Sequence, residues 1–388
     1  MKPRVMFLSP VADFRGGAEF SLFDMLENPA IEPLLCTPGE GALTEEARRL
    51  GVPCATYRQG LLERVHRPAQ GHSMAASVFD VVRAAREVRA VATAHKVEII
   101  HSNGLKAHAV ALALRGLFGA RTIIHVHDIA YSPLERAIWR SLPLGCDRLI
   151  LVSRLCWPGR SLPRGAEIVP NGLDMSRYTP RSGAPQSPWR IGFIGRIHPF
   201  KGLHVLCDWL EAAAAAGHRF RFVIRGEAQA PERAYWEGIK QRLASSSFAG
   251  AVAIEGWVAQ DKAYDDLDLV VVPSLNPEPF GRVTIEAMAW GIPVLASPSG
   301  HTANLIADRK TGFLVQTPAD FVRALDELGA NPSLYGALAR AARAFVAAEL
   351  SQGRFLQHVN EIYQSILEQG ARREAVRGRL SEVKLHAR

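Results

Sequence analysis

Short apolar runs alternate with amphipathic stretches along most of the chain. The first run, residues 5–9, ends at Pro10 and is typical of a buried strand. A loop with two glycines covers residues 13–19, and a helical pattern begins at Ser21. A strand, a glycine loop and a helix in this order predict the opening of a doubly wound α/β domain.

The same alternation continues through the first half of the chain. An amphipathic helix is predicted over residues 78–95, where apolar positions recur at helical spacing. Further strands are predicted at residues 97–101, 122–127 and 148–153, and further helices at residues 106–118 and 133–141. This alternation predicts a parallel sheet with helices on both faces.

A change of composition near residue 175 predicts a boundary between two domains. Residues 177–188 are rich in Pro, Ser and Gly, which is typical of a linker. We therefore predict two Rossmann-like doubly wound α/β domains facing across a cleft, with a linker between them and a helix with a basic tail after them. The boundaries are 1–174 and 189–350 for the domains, 175–188 for the linker and 351–388 for the tail. The second domain has predicted strands at 189–195, 220–225, 252–255, 267–273, 292–296 and 312–315, with helices at 203–216, 232–244, 284–290 and 318–328.

Length and composition agree with two folded domains. The chain has 388 residues, of which 48% are hydrophobic and 22% charged, a balance typical of soluble globular proteins. The net charge of +8 favours anionic partners such as nucleotide phosphates, nucleic acid or an anionic membrane. Five scattered cysteines without a C-x-x-C pair favour a reducing compartment. No apolar run approaches the ~18–20 residues needed to span a bilayer, so we expect any membrane contact to be peripheral.

Two cations occupy a predicted strand-to-helix loop at the start of the second domain. Arg196 and Lys201 lie between the strand at 189–195 and the helix at 203–216. In a doubly wound domain such loops lie at the carboxyl end of the sheet, where ligands bind, and a helix N-terminus favours phosphate. Arg196 and Lys201 are therefore candidates for phosphate binding; the alternative is two solvated surface cations.

Two carboxylates flank a second loop of the same kind. Glu278 precedes the chain-breaking residues Pro279 and Gly281, and Glu286 lies about one turn into the following predicted helix. Carboxylates are strong acceptors for the hydroxyls of ribose and hexose. A lone carboxylate near a helix start could merely favour the helix dipole, but a pair eight residues apart suits hydroxyl recognition better.

The ordered set of motifs resembles the family 4 retaining glycosyltransferases, which have the GT-B fold. The resemblance covers nearly all of the chain. The residues that carry it are Gly16-Gly17, His127-Asp128, residues 169–174 (VPNGLD), Gly195-Arg196, Lys201-Gly202, residues 255–258 (EGWV) and the pair Glu278/Glu286.

The resemblance implies a role for each matching residue. Arg196 and Lys201 would hold the donor diphosphate, Glu286 the ribose hydroxyls, and Glu278 would face the donor sugar. The catalytic set implied is His127, Arg196, Lys201 and Glu278. The remaining implied donor contacts are Gly16 and Gly17 at the diphosphate, Trp257 and Val258 at the base, and the backbone of Phe280 and Gly281 at the sugar.

The resemblance also implies the reaction and the partners. A hexose would pass from a UDP-sugar or GDP-mannose to a glycan or lipid-linked acceptor by front-face attack with retained configuration, in bacterial cell-surface polysaccharide synthesis. No cofactor and no metal is expected, and the N-terminal domain would bind the acceptor. Asn103, at a strand end, is a candidate acceptor contact, with ordinary loop hydrogen bonding as the alternative. We expect a cytoplasmic protein at the inner face of the plasma membrane.

Several other signals are assigned less specific roles. Asp266 and Asp268 form a D-x-D at the start of a predicted strand, the wrong end of the sheet for a ligand, so we predict a capping or solvated role. Two histidines alone, His125 and His127, are weak evidence for a metal-binding site. Nucleic-acid binding is not expected, because the basic residues lack interleaved aromatics. The arginines at 83, 86 and 89 share one side of a predicted helix and could contact anionic lipid.

Two departures from the family pattern leave the donor open. The usual Gly-Gly-x-x-Glu reads Gly300-His301-Thr302-Ala303-Asn304 here, and the usual glycine-rich turn after residues 220–225 reads Gly226-Glu227-Ala228-Gln229. The competing functions are another GT-B activity, such as a sugar-nucleotide epimerase or a phosphorylase, and a non-catalytic nucleotide-sugar binding protein.

Overall fold

Parallel strands joined by helices build both halves of the chain in the computed structural model. It describes residues 2–13, 16–60, 74–180 and 188–386, with side chains for all of these except 74–77 and 371–386. The chain forms two compact units. The first runs to Asn171 and takes in the segment from Gly353 onward, and the second is Gly172–Gln352. Part of the predicted linker, residues 181–187, and the tail side chains from 371 onward lie outside the described residues.

A seven-stranded, fully parallel sheet forms the first unit. Its strand order is β3-β2-β1-β4-β5-β6-β7, so the connections run in one direction from β1 and in the other from β4. The strands are β1 (Arg4–Leu8), β2 (Glu32–Thr37), β3 (Cys54–Thr56), β4 (Ile99–Asn103), β5 (Thr122–Val126), β6 (Arg148–Leu151) and β7 (Ala166–Ile168). The helices among them are α1 (Gly17–Leu26), α2 (Ala42–Arg49), α3 (Met74–Ala94), α4 (Leu105–Phe118) and α5 (Pro133–Ser141).

The second unit repeats this plan with six parallel strands. Their order is β10-β9-β8-β11-β12-β13. The strands are β8 (Trp189–Ile194), β9 (Phe220–Arg225), β10 (Val252–Gly256), β11 (Leu269–Val272), β12 (Val294–Ala296) and β13 (Phe313–Leu314). The helices are α6 (Leu203–Ala215), α7 (Arg233–Ala244), α8 (Arg282–Ala289), α9 (Thr302–Leu305), α10 (Pro318–Ala330) and α11 (Pro332–Glu349).

The last helix, α12 (Gln352–His386), packs on the first unit. Helix α11 ends at Glu349 and α12 begins at Gln352, so the chain is not helical at Leu350 and Ser351. Phe355, Val359 and Tyr363 then join the core formed with β1, α1 and α2. The apolar face of α12 therefore stabilises a domain from which it is distant in sequence.

Four elements of the first unit were not predicted, namely β2, α2, β3 and β7. The strands β3 and β7 have three residues each and lie at the two edges of the sheet, so they carry too little periodicity to be recognised. The helix α1 begins at Gly17, four residues before the predicted start. Within the described residues, no helix is long and apolar enough to cross a membrane.

Candidate functional site

The predicted phosphate-binding loop lies at the point where the second sheet reverses its strand order. β8 and β11 are neighbours, and the chain leaves them toward opposite edges of the sheet. In open α/β sheets the crevice at the carboxyl ends of such strands is the usual ligand site. The segment after β8 carries Arg196 and Lys201, and the segment after β11 carries Glu278. The Leu275 N–H donates to the Phe200 carbonyl at 2.9 Å, which ties the two segments together.

Lys201 and Glu278 form an ion pair at this point. The Lys201 ammonium donates to Glu278 Oε1 at 2.8 Å, and the Ser274 hydroxyl donates to the same oxygen. Burial opposes ionisation of Glu278, but the charge of Lys201 and the two hydrogen bonds outweigh it and lower the pKa of this carboxyl. The buried Glu278 carboxylate therefore holds the Lys201 ammonium at the carboxyl edge of the sheet.

Gly202 allows the loop to take this shape. Its φ is +72°, in the left-handed region, and a Cβ at this position would lie 1.9 Å from the Pro273 carbonyl oxygen. Any side chain would push the loop away from the end of β11, because the contact is with backbone that cannot rotate aside. Gly202 also serves as the N-cap of α6, so Lys201 directly precedes the free N–H groups of that helix.

Arg196 is exposed and follows β8 by two residues. Within the described residues no carboxylate forms an ion pair with it, so its guanidinium keeps its full capacity for a bidentate anion. The structure thus brings Arg196, Lys201 and Glu278 to one edge of one sheet. The assignment of the two cations to a diphosphate stays a prediction.

Glu286 is buried in a polar cluster on α8. Its Oε1 accepts from Arg282 Nε and from Gln260 Nε2, both at 2.6 Å, and its Oε2 accepts from the Tyr264 hydroxyl at 2.8 Å. Burial and the neighbouring carboxylate raise the pKa of Tyr264 well above its ordinary value, so its hydroxyl stays a donor. Ribose recognition by Glu286 stays a prediction, and these three partners would hold the carboxylate in place for it.

Phe280 and His301 cover the turn next to Glu278. Their rings are stacked, with centroids 5.6 Å apart and planes at 18°. The His301 N–H donates to the Glu278 carbonyl at 2.9 Å, and burial lowers the pKa of the His301 imidazole. The Gly300 backbone, at φ +64°, approaches so closely that a Cβ there would lie 2.2 Å from the Glu278 nitrogen. Gly300-His301, where the chain departs from the family pattern, therefore lies directly against Glu278.

Trp257 and Val258 lie directly after β10, at the edge of the sheet. Trp257 is 63% exposed. Gln260, two residues beyond Val258, bonds to Glu286, so this loop reaches the polar cluster on α8. Contact of its backbone with a nucleobase stays a prediction.

The predicted residues of the first unit also gather at a reversal of strand order, here between β1 and β4. Gly16 caps α1 and Gly17 is its first residue. Asn103 ends β4, and its Nδ2 donates to the Ala18 carbonyl at 3.1 Å. His127 follows β5 directly and is 8% exposed. Their roles toward the donor and acceptor stay predictions.

Three buried histidines near this edge predict a pH-dependent stability. Burial, followed by the charge of neighbouring histidines, lowers the pKa of His101 and His108 to about 3 and that of His125 well below 6.5. In the unfolded chain each of these histidines gains a proton near pH 6.5, whereas in the folded chain it stays neutral to a lower pH. The unfolded state therefore binds more protons below pH 6.5. We expect the free energy of unfolding to fall as pH drops from about 6.5 toward 3, by up to about 1.4 kcal/mol per pH unit for each histidine. Urea unfolding at a series of pH values measures this slope. It should become shallower in His108→Gln, and equal slopes in the two proteins would contradict the prediction.

The D-x-D motif has a structural role. Asp266 Oδ1 accepts from Arg225 Nη2 at 2.6 Å, and Asp268 Oδ2 accepts from the Arg190 N–H at 2.8 Å. Both aspartates directly precede β11 and so lie at its amino end. The predicted capping role is confirmed for Asp268, which caps the Arg190 N–H although it is 5% exposed. The Asp266 side chain is 43% exposed and is ion-paired to Arg225. The two carboxylates join the start of β11 to β8 and β9.

Sequence reasoning missed the partners of the two glutamates. Arg282 lies four residues before Glu286 on α8, a spacing that could have revealed the pair. Gln260, Tyr264 and Ser274 left no signal of this kind, because their contacts depend on how loops return to the site.

A doubly wound domain with cations and paired carboxylates at its switch point belongs to the class that binds nucleotide-like anions. Residues 188–331, which contain these features, match the model of the family described as Glycosyl transferases group 1. This match supports a relationship of residues 188–331 to the group 1 glycosyltransferases, and membership of family 4 stays a prediction.

Two curated relatives share one name. The D-inositol 3-phosphate glycosyltransferase of Segniliparus rotundus is 32% identical over 194 residues, which are 46% of this chain and 42% of the relative. The protein of the same name from Geodermatophilus obscurus is 30% identical over 253 residues, 57% of this chain and 55% of the relative. The chain thus spans about half the length of the curated relatives it matches.

Solved structures match almost the whole chain. Alr3699/HepE of Anabaena in complex with UDP and glucose is 22% identical with a TM-score of 0.77, covering 93% of this chain and 99% of that chain. Sucrose-phosphate synthase of Thermosynechococcus elongatus is 18% identical with a TM-score of 0.73, covering 95% and 100%. The predicted fold class is confirmed: the chain has two Rossmann-like units of the GT-B type.

Proposed function

We propose that this protein is a glycosyltransferase that moves a hexose from a nucleotide-sugar donor to a hydroxyl acceptor. The observation that carries the proposal is the Lys201–Glu278 ion pair at the reversal of the second sheet. A cation for phosphate and a carboxylate for a sugar hydroxyl meet there within 2.8 Å. The match of residues 188–331 to a glycosyltransferase family supports the proposal.

Each cation has a defined part in the proposed reaction. When the bond between sugar and diphosphate breaks, negative charge accumulates on the leaving phosphate. Arg196 and Lys201 stabilise that charge, and fixed charges aimed at developing charge lower the barrier more than they favour the bound donor. When the diphosphate binds Lys201, the ion pair between Lys201 and Glu278 breaks. The Glu278 carboxylate then accepts a hydrogen bond from a sugar hydroxyl.

We propose further that the sugar keeps its anomeric configuration. The resemblance to retaining enzymes supports front-face attack, with the leaving diphosphate helping to deprotonate the acceptor hydroxyl. In this scheme Glu278 binds and orients the sugar, and its charge stabilises an oxocarbenium-like state. Proton NMR of the product's anomeric signal tests this, and an inverted product would contradict it.

We propose that transfer needs no metal ion. The one D-x-D considered as a metal ligand from the sequence is engaged by Arg225 and by the Arg190 backbone, at the end of β11 opposite the site. Transfer in excess EDTA should match transfer with added magnesium, and a rate that depends on magnesium would contradict the proposal.

The donor and acceptor are proposed by class. UDP-sugars and GDP-mannose are the first donors to test, and the complexes of Alr3699/HepE with UDP and glucose favour UDP-sugars. A glycan or lipid-linked acceptor for cell-surface polysaccharide stays a prediction. The name shared by the curated relatives adds inositol phosphates to the acceptor panel.

The structure weakens the argument that the arginines at 83, 86 and 89 contact an anionic membrane. Arg83 bonds to Asp80 at 3.1 Å, and the Arg89 guanidinium lies 4.1 Å from the Phe118 ring centroid. Arg86 is exposed. Flotation with anionic and neutral liposomes tests the contact, and equal recovery on both would remove it. A cytoplasmic location also stays a prediction.

Release of nucleoside diphosphate separates the competing functions. The purified protein is incubated with each donor, with and without acceptors. A transferase releases the nucleotide faster when its acceptor is present. An epimerase interconverts donors, and a binding protein shifts in melting temperature without release; either result would overturn the proposal.

A further inference from the structure

Four polar rings form a buried row in the first unit. The Tyr363 hydroxyl lies 2.8 Å from His101 Nδ1, and His101 Nε2 lies 3.1 Å from His125 Nδ1. The His125 and His127 rings are in contact, with centroids 4.1 Å apart. Tyr363, His101 and His125 are each at most 1% exposed. The row leads from the C-terminal helix α12 to His127, which the resemblance places in the catalytic set.

The tyrosine fixes the tautomers of the row. Burial raises the pKa of Tyr363 well above its ordinary value, so the hydroxyl keeps its proton. Its hydrogen-bond partner within the described residues is His101 Nδ1, and leaving a buried O–H without an acceptor is costly. Tyr363 therefore donates to Nδ1, and the neutral His101 carries its proton on Nε2. That N–H donates to His125 Nδ1, which leaves the His125 proton on Nε2.

His125 therefore presents a buried N–H donor. Among the described residues, Nε2 has no hydrogen-bond partner. A fully buried donor of this kind is rare in folded proteins and indicates a partner such as a ligand or an ordered water. Its position on β5, next to His127, puts it near the carboxyl edge of the sheet.

Asn103 presents a matching acceptor on the neighbouring strand. Asn103 and His125 are register partners on β4 and β5, so their side chains lie on the same face of the sheet. The amide nitrogen of Asn103 is fixed by its bond to the Ala18 carbonyl. Its Oδ1 is buried and has no hydrogen-bond partner in the described part of the chain.

We propose that His125 Nε2–H and Asn103 Oδ1 together bind one hydroxyl group of the acceptor, a sugar or other polyol. A hydroxyl donates one hydrogen bond and accepts others, so it satisfies both groups at once. The bond from Asn103 to Ala18 links this subsite to the first turn of α1, and the bond from Tyr363 links it to α12. The proposal rests on the proposed function for the identity of the acceptor, and the placement of the two groups is independent of it.

Histidine NMR tests the first half of the proposal without any activity. Long-range nitrogen–proton spectra of the ¹⁵N-histidine-labelled chain should show His125 protonated on Nε2. In Tyr363→Phe the His101 proton is no longer held on Nε2, so the His125 signal should shift toward a mixture of tautomers. A wild-type His125 protonated on Nδ1 would overturn the proposal.

Titration of the same labelled protein tests binding. Methyl α-glucoside and myo-inositol are the probes, and binding of either should shift the His125 signals in the wild type but not in Asn103→Ala. Ser102→Ala is the matched control. Ser102 lies beside Asn103 on β4, and its replacement removes a buried hydrogen bond to His108 of α4. This variant should respond like the wild type. Shifts that persist in Asn103→Ala would mean that the probe binds without Asn103, and no shift with either probe would mean that only an ordered water pairs the two groups. Either result would overturn the subsite.

Kinetics complete the test once an acceptor is found. In Asn103→Ala and His125→Phe, the KM for the acceptor should rise about ten-fold, the loss expected for one buried hydrogen bond. An unchanged acceptor KM in both variants would overturn the subsite. Absence of nucleotide release from the wild type would overturn the proposed function and leave the NMR results standing.

Discussion

Replacing Lys201 with methionine is expected to lower the rate of sugar transfer by about 10²–10³. Methionine keeps most of the side chain's length and removes the ammonium that bonds to Glu278 at 2.8 Å. The loss arises because only Arg196, of the two loop cations, then remains to stabilise the charge on the leaving phosphate. The measurement is the rate of nucleoside diphosphate release at saturating donor.

The same change has a second effect that serves as a check on its cause. Lys201→Met leaves the buried Glu278 carboxylate with the Ser274 hydroxyl as its remaining side-chain donor among the described residues, so the free energy of unfolding should fall by about 1–3 kcal/mol. The double variant Lys201→Met/Glu278→Gln should recover much of this stability and none of the activity. Lys240→Ala, which removes a half-buried lysine paired with Glu237 on α7, is the matched control and should retain the wild-type rate. Near-normal transfer by a folded Lys201→Met variant would remove Lys201 from the mechanism.

Replacing Arg196 with alanine is expected to have a comparable effect on the rate, again about 10²–10³, but almost none on stability. Arg196 is exposed and forms no ion pair within the described ranges, so its removal leaves no buried charge behind. Arg196→Lys should recover only part of the rate, because an ammonium keeps the charge and loses the bidentate geometry.

The control for Arg196 lies on the same sheet. Arg221 is also exposed, but it lies at the amino end of β9, the edge opposite the site. Arg221→Ala should transfer sugar at the wild-type rate. Equal losses in the two variants would mean that general charge, and not the position of Arg196, matters. A full rate in Arg196→Ala would contradict the assignment directly.

The fold was predictable because its signals are local. Each buried strand of the second unit is an apolar run, and the loops after β8, β9, β11 and β12 carry their own glycines or prolines. The edge strand β3 could not be predicted in this way, because its three residues are half-buried or exposed and show no clear hydrophobic pattern. The packing of α12 on the first unit was also beyond sequence reasoning, since it joins segments that lie far apart in the chain.

The residues of the candidate site could be predicted from the sequence, but the hydrogen bonds and ion pairs between them could not. Arg196, Lys201, Glu278 and Glu286 follow from strand-to-helix loops, because loops after neighbouring parallel strands must meet at one edge. The pairing of Lys201 with Glu278 depends on the close approach at Gly202, which only the coordinates reveal. The row from Tyr363 to His125 was missed for the same reason, since it joins α12 to β4 and β5.

The central claim is that the Lys201–Glu278 site transfers sugar from a nucleotide donor. The most direct measurement is nucleoside diphosphate release from a panel of UDP-sugars and GDP-mannose, with the wild type and Lys201→Met compared side by side. The account predicts release from at least one donor by the wild type, acceleration by an acceptor, and a loss of about 10²–10³ in the variant. No release from any donor by the folded wild type, or equal release by both proteins, would contradict it.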